Sequence, residues 1–443
     1  MTVPRKLLFA VGVALGSGAI AGCAGTPPAD RGSVSQAVET RFGQPVGPGP
    51  KQNLVIVPEW LERGAPLTEE QAVVLALWNN ALFHETLVEL DLTKADLVQA
   101  GLLPNPEFVY YWPADGKPLK YLVDFPLESL WLRPLRLKVT AAENERAAAR
   151  LTQLALDLIR DTRQSYADLQ LAHERVKVAE RAVKLRERIL ELAEARLKAG
   201  DASALEVSTA RIDALQARQD LTRINFDVPA AEERLRNFTG LSLKAVALEP
   251  ESVPFDAQVT SPVDSLVDEA VQSRPDALVA AHATAAAAER LRVARLGWVR
   301  FLGLLDATSG RVTGHEFGLA LRMTVPIFNR NQGGIARAQA ELDQFGRRQQ
   351  TVQNQIVLDV RTAFIRFQQA RAELDALRTK TRPEVEAAIK RAEAAFEKGG
   401  VTYLLVLESN RQLIDTYARE AQLHADLRRA WAELERSVGR RLK

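Results

Sequence analysis

The chain contains the same turn motif twice, at residues 196–211 and again at residues 396–411. The repeat is in register, because four residues of the first copy return in the second at one constant spacing. These pairs are Lys198 and Lys398, Gly200 and Gly400, Leu205 and Leu405, and Arg211 and Arg411. A motif repeated in register across 443 residues indicates an internal duplication, so we expect both halves to fold as the same kind of unit.

Each copy of the motif follows a long stretch of helix-forming sequence. Residues 135–199 contain neither glycine nor proline, and one helix of this length spans on the order of 100 Å at about 1.5 Å per residue. Gly200 is a suitable C-cap and Ser203 a suitable N-cap, so the chain is predicted to turn there and return as a second helix to residues 238–240. Two long helices joined by a short turn form an antiparallel hairpin. Its apolar seam is predicted to be Leu151, Leu154, Leu158, Tyr166, Leu169, Ala172, Val176, Ala179 and Val183.

The second half has the same order of parts. A helix at about 262–296 precedes a stretch that favours β-strands, and a second long helix follows with an apolar stripe over 338–377. Pro383 must kink or interrupt this helix, because proline lacks the backbone donor and its ring clashes with the preceding turn. Gly399 and Gly400 provide the second turn of the repeat.

In both halves a β-prone stretch lies between the first helix and the long hairpin. The first half has short candidate strands at 108–112 and 119–127, whereas the second has a stretch at 297–328 in which alternate residues are apolar. A strand with one apolar and one partly polar face is typical of a membrane β-barrel, and a half-buried soluble sheet gives the same alternation. Five aromatic residues at the strand ends fit an interfacial belt or ordinary sheet packing equally well: Tyr110, Tyr111, Trp112, Trp131 and Trp298.

The four candidate strands cannot close a barrel on their own, because the smallest membrane barrels have about eight strands. Open strand edges are also too costly in lipid, where no water pairs with the backbone groups. Several chains must therefore pool their strands if these cross a membrane. The predicted fold class is mainly α with a small β part. Duplicated antiparallel coiled-coil hairpins form an α-helical barrel, and four short strands per chain contribute to a shared β-barrel.

Residues 1–22 are predicted to be a signal peptide. A short basic region precedes an apolar stretch rich in small residues, and Cys23, the only cysteine, follows Ile20-Ala21-Gly22. This tetrapeptide resembles the bacterial lipoprotein signal, in which the cysteine carries the lipid, and Ala24 after it favours the outer membrane. The alternative is a signal peptide with an accidental cysteine. Residues 23–66 are rich in proline and glycine, so they are predicted to form an extended, lipidated tether without a packed core.

The composition gives no support for catalysis, a bound metal or a nucleic-acid partner. The formal net charge of +2 is too small to indicate nucleic acid, and no hydrolase, zinc-peptidase or nucleotide-binding motif occurs. After the signal segment no stretch reaches the about 18 apolar residues that a membrane helix needs. We therefore expect no enzymatic activity, no cofactor and no metal site. The five histidines are dispersed without ligand-like spacing: His84, His173, His282, His315 and His424.

The order of several short motifs resembles that of the TolC-type outer-membrane factors, a family of outer-membrane efflux proteins. The resemblance covers roughly residues 67–443 and rests on the order and duplication of the motifs. The lipoprotein cysteine and residues 382–400 resemble the branch that serves heavy-metal and drug efflux of the resistance–nodulation–division type. The other motifs are Gly101-Leu102-Leu103-Pro104-Asn105-Pro106-Glu107, Pro126-Leu127-Glu128, Ser273-Arg274-Pro275-Asp276, Pro326-Ile327-Phe328, Asn331-Gln332-Gly333-Gly334 and the two Lys-x-Gly turns.

Membership of this family implies a homotrimer, with a trimeric β-barrel in the outer-membrane lipid and a helical conduit in the periplasm. It implies docking on a periplasmic adaptor (a membrane fusion protein) and an inner-membrane efflux pump, with small solutes such as metal ions or drugs as cargo. The paired turns would form the periplasmic tip that contacts the adaptor. The residues predicted for this contact are Lys198, Gly200, Asp201, Leu205, Glu206, Lys398, Gly399, Gly400, Leu405 and Glu408.

The predicted domain division follows the repeat. After the signal peptide and the tether, the first repeat of helix, strand pair and helical hairpin covers 67–240, a linker covers 241–261, and the second repeat covers 262–443. The alternative function is a lipid-anchored periplasmic coiled-coil scaffold, which explains the cysteine and the helices but not the β-prone stretches in both halves. Transmembrane strands need about 9–11 residues, so whether the short first strand pair spans the membrane stays open.

Overall fold

The chain divides into two compact units that each draw segments from both halves of the duplicated sequence. Unit 1 comprises Met1–Val34, Leu87–Leu151 and Pro275–Asn354, and unit 2 comprises Ser35–Thr86, Thr152–Arg274 and Gln355–Lys443. The predicted signal peptide and Cys23 lie outside the residues that the structure describes. The computed structural model describes residues 27–48, 55–59, 65–112, 119–244, 246–251, 255–310 and 314–442.

The described residues are mainly helical with one small antiparallel sheet, which confirms the predicted mainly α class. The strands are β1 (Glu107–Tyr111), β2 (Leu119–Pro126), β3 (Phe301–Gly310) and β4 (Gly314–Met323). The helices of the first half are α1 (Arg31–Phe42), α2 (Glu69–Asn79), α3 (Ala81–Leu87), α4 (Glu89–Gly101), α5 (Glu128–Ala199), α6 (Ala204–Asn225) and α7 (Asp227–Thr239). Those of the second half are α8 (Val263–Ser273), α9 (Pro275–Leu296), α10 (Gln332–Ala376), α11 (Arg382–Glu397) and α12 (Tyr403–Val438).

The strands of both halves pair into one sheet in unit 1, in the order β1-β2-β3-β4. β1 pairs with β2 and β3 pairs with β4, while β2 joins the two halves by pairing with β3 from Leu119 opposite Ser309 to Pro126 opposite Leu302. β1 has 5 residues and β2 has 8, whereas β3 and β4 have 10 each. The first strand pair is therefore the shorter one, as the sequence predicts.

Helix α5 is a single helix of 72 residues. It begins at Glu128, before the predicted run of residues 135–199, and includes Pro134. Seven of the nine predicted seam residues are buried, Leu151 and Tyr166 among them, whereas Leu154 and Val176 are half-buried. Among the described residues, none of the helices combines the length and the apolar character that a bilayer crossing requires.

Pro383 interrupts the second long helix, as predicted. Helix α10 passes into a π-helical turn at Leu377–Thr381, and α11 begins at Arg382, directly before the proline. In an uninterrupted α-helix Pro383 would face the carbonyl of Thr379 without an N–H group to donate. The wider π turn accommodates this missing hydrogen bond, so the chain continues as a helix beyond the proline.

Helix α1 corrects the prediction of an extended N-terminal tether. Val34, Val38 and Phe42, spaced four residues apart on one helix face, are all buried. The Arg41 guanidinium donates a hydrogen bond of 2.6 Å to the carbonyl oxygen of Ser273 in unit 2. The flanking prolines and glycines suggested a flexible segment, but an apolar stripe at helical spacing lies between them and supplies enough packing to order it.

Candidate functional site

The first turn of the repeat closes helix α5 with a Schellman motif. Gly200 has a φ of 86°, in the left-handed region that glycine adopts without strain. The N–H groups of Gly200 and Asp201 donate back to carbonyls of the last helical turn at 3.0 and 2.9 Å. Ser203 then caps α6, because its hydroxyl accepts a hydrogen bond of 3.1 Å from the N–H of Glu206. The predicted helix stop and helix start are both confirmed.

The second turn has the same motif, but its left-handed residue is Gly399 and not Gly400. Gly399 has a φ of 72°, and its N–H donates back into α11 at 3.0 Å. The N–H of Gly400 donates one residue further back at 2.8 Å. Gly399 therefore occupies the position of Gly200, and Gly400 occupies the position of Asp201.

The register of the structural repeat thus differs by one residue from the register in which identical amino acids repeat. The prediction that pairs Leu205 with Leu405 is wrong by one residue, because Leu404 is the second residue of α12 as Leu205 is the second of α6. By the same rule Lys198 corresponds to Glu397 and not to Lys398. Residues that share a conformation or a burial state stand 199 apart: Gly200 and Gly399, Ser203 and Thr402, Val207 and Val406, and Gly240 and Gly439.

Substituting the two adjacent glycines of the second turn separates these registers. Gly399→Ala is expected to destabilise the tip by about 1–2 kcal/mol, because an alanine Cβ crowds the following carbonyl in the left-handed conformation. Gly400→Ala is the matched control, since a Cβ there would lie 3.4 Å from its nearest neighbour, the Ala395 carbonyl oxygen. The measurement is limited proteolysis at the turn together with the thermal unfolding midpoint. Equal losses in the two variants would show that the left-handed residue is misplaced.

The two hairpin tips pack against each other within unit 2. Buried apolar residues from α5, α6, α11 and α12 form one cluster, the tip cluster. Its aromatic members Phe396 and Tyr403 flank the second turn, with ring centroids 6.5 Å apart. Because both hairpins contribute, separating the tips would expose this apolar surface to water. The members of the tip cluster are Ile189, Ala193, Val207, Ala210, Ala392, Phe396, Tyr403 and Val406.

Polar contacts add to this packing. The Tyr403 hydroxyl donates a hydrogen bond of 2.7 Å to the Asp213 carboxylate, and the Arg186 guanidinium lies 3.8 Å from the same carboxylate. Burial, followed by the hydrogen bond to Asp213, raises the pKa of the Tyr403 hydroxyl, so it remains a donor at neutral pH. The Arg196 guanidinium lies 4.6 Å from the centroid of the Phe396 ring. Sequence analysis missed Tyr403 and Asp213 because these partners are 190 residues apart.

The structure brings the charged residues of the predicted adaptor contact to the tips. Lys198, Lys398 and Glu408 are exposed there. Glu206 is half-buried, and its carboxylate lies 3.7 Å from the Arg196 guanidinium. Contact of these residues with an adaptor stays a prediction.

Of the two most exposed leucines at the tips, the sequence predicted Leu205 but not Leu404. Leu205 is 76% exposed at the start of α6, and Leu404 is 70% exposed at the same place in α12. Leu405, which the sequence repeat singled out, is 50% exposed. Each tip therefore presents at least one large apolar side chain to solvent from its first helical turn.

The described histidines do not converge on a common site. His282 lies 3.0 Å from the Glu145 carboxylate, whereas His424 accepts a hydrogen bond of 2.5 Å from Arg378. Within the described residues, no group of three or more His, Cys, Asp or Glu side chains is arranged to hold a metal ion.

The sequence is similar to that of a resistance protein. It is 27% identical over 391 residues to the cobalt-zinc-cadmium resistance protein CzcC of Cupriavidus metallidurans. The aligned region covers 86% of this chain and 91% of that relative.

Two solved structures share the fold. A membrane protein from Pseudomonas aeruginosa matches with a TM-score of 0.71 at 20% identity, covering 89% of this chain and 98% of that one. The CmeC outer membrane channel of Campylobacter jejuni matches with a TM-score of 0.70 at 14% identity, covering 84% of this chain and 85% of that one. At such identities the likeness establishes the fold alone.

The family model described as outer membrane efflux protein matches two segments of the chain, residues 132–241 and 266–440. Each segment lies in one half of the duplication and contains one long helical hairpin with its turn. The match confirms the predicted resemblance to the TolC-type efflux proteins, and with it the prediction of an outer-membrane efflux component. The chain belongs to the outer membrane efflux protein family.

Proposed function

We propose that three copies of this chain form the outer-membrane conduit of a tripartite efflux system, anchored by a lipid on Cys23. The conduit passes small solutes from a periplasmic adaptor and an inner-membrane pump to the exterior. The observation that carries this proposal is one sheet with two open edges, since β1 and β4 each pair on one side only among the described residues. Open edges are too costly in lipid, so neighbouring copies must complete the sheet.

The apolar face of the sheet supports contact with lipid. Phe317, Leu319, Leu321 and Met323 alternate along β4 and all point to one face. All four are exposed in the single chain, and Leu319 is 88% exposed. A row of large apolar side chains open to water is costly for a soluble sheet but fits the hydrocarbon layer of a membrane.

The hairpin tips support contact with the adaptor. Leu205 and Leu404 are exposed at equivalent places, so each chain offers two similar apolar contact points. Three chains would offer six such points, which suits a partner that repeats around the same axis. Lys198, Lys398 and Glu408, the charged residues predicted for this contact, are also exposed in the tips.

The name of the relative supports metal cations as cargo. CzcC is named for cobalt, zinc and cadmium resistance, and the alignment covers 91% of its length. We infer that the system containing this chain exports divalent transition-metal cations. Export of drugs is the alternative that the experiment below distinguishes.

The test combines growth of a strain that lacks the gene with conductance of the purified, lipidated chain in a planar bilayer. We expect the strain to lose tolerance to cobalt, zinc or cadmium, and the wild-type gene to restore it. The purified protein should have the mass of an acylated trimer and should conduct. A non-conducting monomer would favour the periplasmic scaffold. Unchanged metal tolerance with raised drug sensitivity would replace metal by drug as the cargo.

A further inference from the structure

Every Asp, Glu, Lys and Arg of the four strands occupies one face of the sheet. Residues directly opposite each other on paired strands share a face, as do alternate residues along one strand. Glu107 lies opposite Asp124 on β2, which in turn lies opposite Leu304 on β3. From Leu304 the same face continues to Ala320 on β4. The charged residues of this polar face are Glu107, Lys120, Asp124, Asp306, Glu316 and Arg322.

Both cations of the polar face are neutralised by carboxylates of the same face. The Lys120 ammonium lies 2.6 Å from an Asp306 carboxylate oxygen. The Arg322 guanidinium lies 3.8 Å from the Asp124 carboxylate, whose other oxygen is buried without a hydrogen-bond partner in the described residues. Each pair is electrically neutral, so the net negative charge of the polar face comes from its remaining acids.

The remaining acids are Glu107 and Glu316. Both are exposed, and neither forms an ion pair with a described residue. Glu107 begins β1, and Glu316 lies opposite Thr308 near the β3–β4 turn, so the two carboxylates lie near opposite ends of the sheet. Because β1 and β4 are the edge strands, every junction between neighbouring copies would also bring one of each to the same seam.

We propose that the polar face lines the aqueous lumen and that Glu107 and Glu316 make the conduit selective for cations. This inference rests on the proposed channel function. A closed barrel leaves only its interior for charged side chains, because the apolar face must meet lipid. Fixed carboxylates in a narrow aqueous passage with low-dielectric walls concentrate cations and repel anions. Small cations, including divalent metal ions, are therefore the class of solute that this end of the conduit passes preferentially.

The experiment is a measurement of reversal potential with the full-length protein in a planar bilayer. A roughly tenfold KCl gradient with about 0.1 M on the concentrated side keeps the screening length at about 10 Å or more on both sides. We expect the wild type to prefer K⁺ over Cl⁻, and the permeability ratio to fall by about threefold or more in Glu107→Gln/Glu316→Gln. Glu316→Lys should shift the reversal potential further towards anions. In about 1 M salt the differences should shrink, because the screening length falls to about 3 Å.

The matched control is Lys120→Gln/Asp306→Asn, which removes two charges of the same face without changing its net charge. We expect this control to keep the wild-type permeability ratio. An unchanged ratio in Glu107→Gln/Glu316→Gln would overturn the inference while leaving the channel function in place. An equal shift in the control would also overturn it, because the paired charges would then set the selectivity. A wild-type protein that carries no current would overturn both the inference and the channel function.

Discussion

Replacing Leu205 and Leu404 together by aspartate is expected to abolish export while the protein still assembles in the outer membrane. Both leucines are largely exposed and occupy the second position of their helices, where an acid favours the helix dipole. The hairpins should therefore fold normally. Burial of one leucine in an interface contributes about 1.5–3 kcal/mol, and the variant loses this at two positions per chain. Adaptor affinity should fall by roughly a thousandfold or more.

The measurements are metal tolerance of the complemented strain and cross-linking of the channel to its adaptor. Leu243→Asp is the matched control, because Leu243 is 89% exposed but lies in the loop after α7, away from the tips. This control should export like the wild type. Full export by the double tip variant would contradict the assignment of the tips as the adaptor contact.

Arg163→Met is expected to cost about 3–5 kcal/mol of stability, because it removes the cation from a buried ion-pair cluster and leaves the carboxylates in place. Arg163 is 4% exposed, and its guanidinium lies 3.3 Å from Glu69 and 3.1 Å from Glu70. It also pairs with Glu435, which is 1% exposed. Without Arg163, the buried Glu435 carboxylate keeps its desolvation cost and loses its closest counter-charge. Glu69 and Glu70 each keep another arginine within ion-pair distance. Since each kcal/mol shifts the melting temperature of a domain this large by about 2–4 °C, a fall on the order of 10 °C should follow.

The loss should depend on pH in a defined direction. Burial already raises the pKa of Glu435, and removal of Arg163 raises it further. A carboxyl whose pKa is higher in the folded state stabilises the fold below that pKa and loses this contribution as the pH rises through it. The deficit of Arg163→Met should therefore be larger at pH 8 than at pH 5. Circular dichroism of the detergent-solubilised protein during heating measures both effects.

A double variant separates the charge effect from the loss of packing. Arg163→Met/Glu435→Leu removes both members of the closest pair, so it should recover part of the lost stability. The cluster does not contribute as described if Arg163→Met melts at the wild-type temperature. The same conclusion follows if the double variant loses more stability than the two single variants lose together.

The hairpins and the order of elements could be predicted because they depend on local patterns. The run without glycine or proline indicated α5, and Gly200 with Ser203 marked its turn through backbone preferences that act over a few residues. The second turn shows the limit of this approach. Gly399 and Gly400 are the same amino acid, so alignment of identical residues placed Gly400 opposite Gly200. The hydrogen bonds of the last turn of α11 show that Gly399 is the structural equivalent of Gly200.

Other features depend on contacts that no local pattern reveals. Arg163 is indistinguishable in the sequence from the many exposed arginines of the coiled coils. Its burial follows from Glu69, Glu70 and Glu435, which come from distant segments. Helix α1 is a different case, because the helical spacing of Val34, Val38 and Phe42 is visible in the sequence. The prolines and glycines around them outweighed it in the prediction of a tether.

The pairing of β2 with β3 also has a geometric consequence for the assembled ring. The first half exposes the edge of β1 and the second half exposes the edge of β4, so each seam in the proposed trimer would join a 5-residue strand to a 10-residue strand. At about 3.3 Å per residue these strands cover about 17 and 33 Å. A closed rim built from three copies would therefore alternate between tall and short hairpins. In the proposed trimer such a rim would be notched at three places, although the helical tips would form six similar repeats.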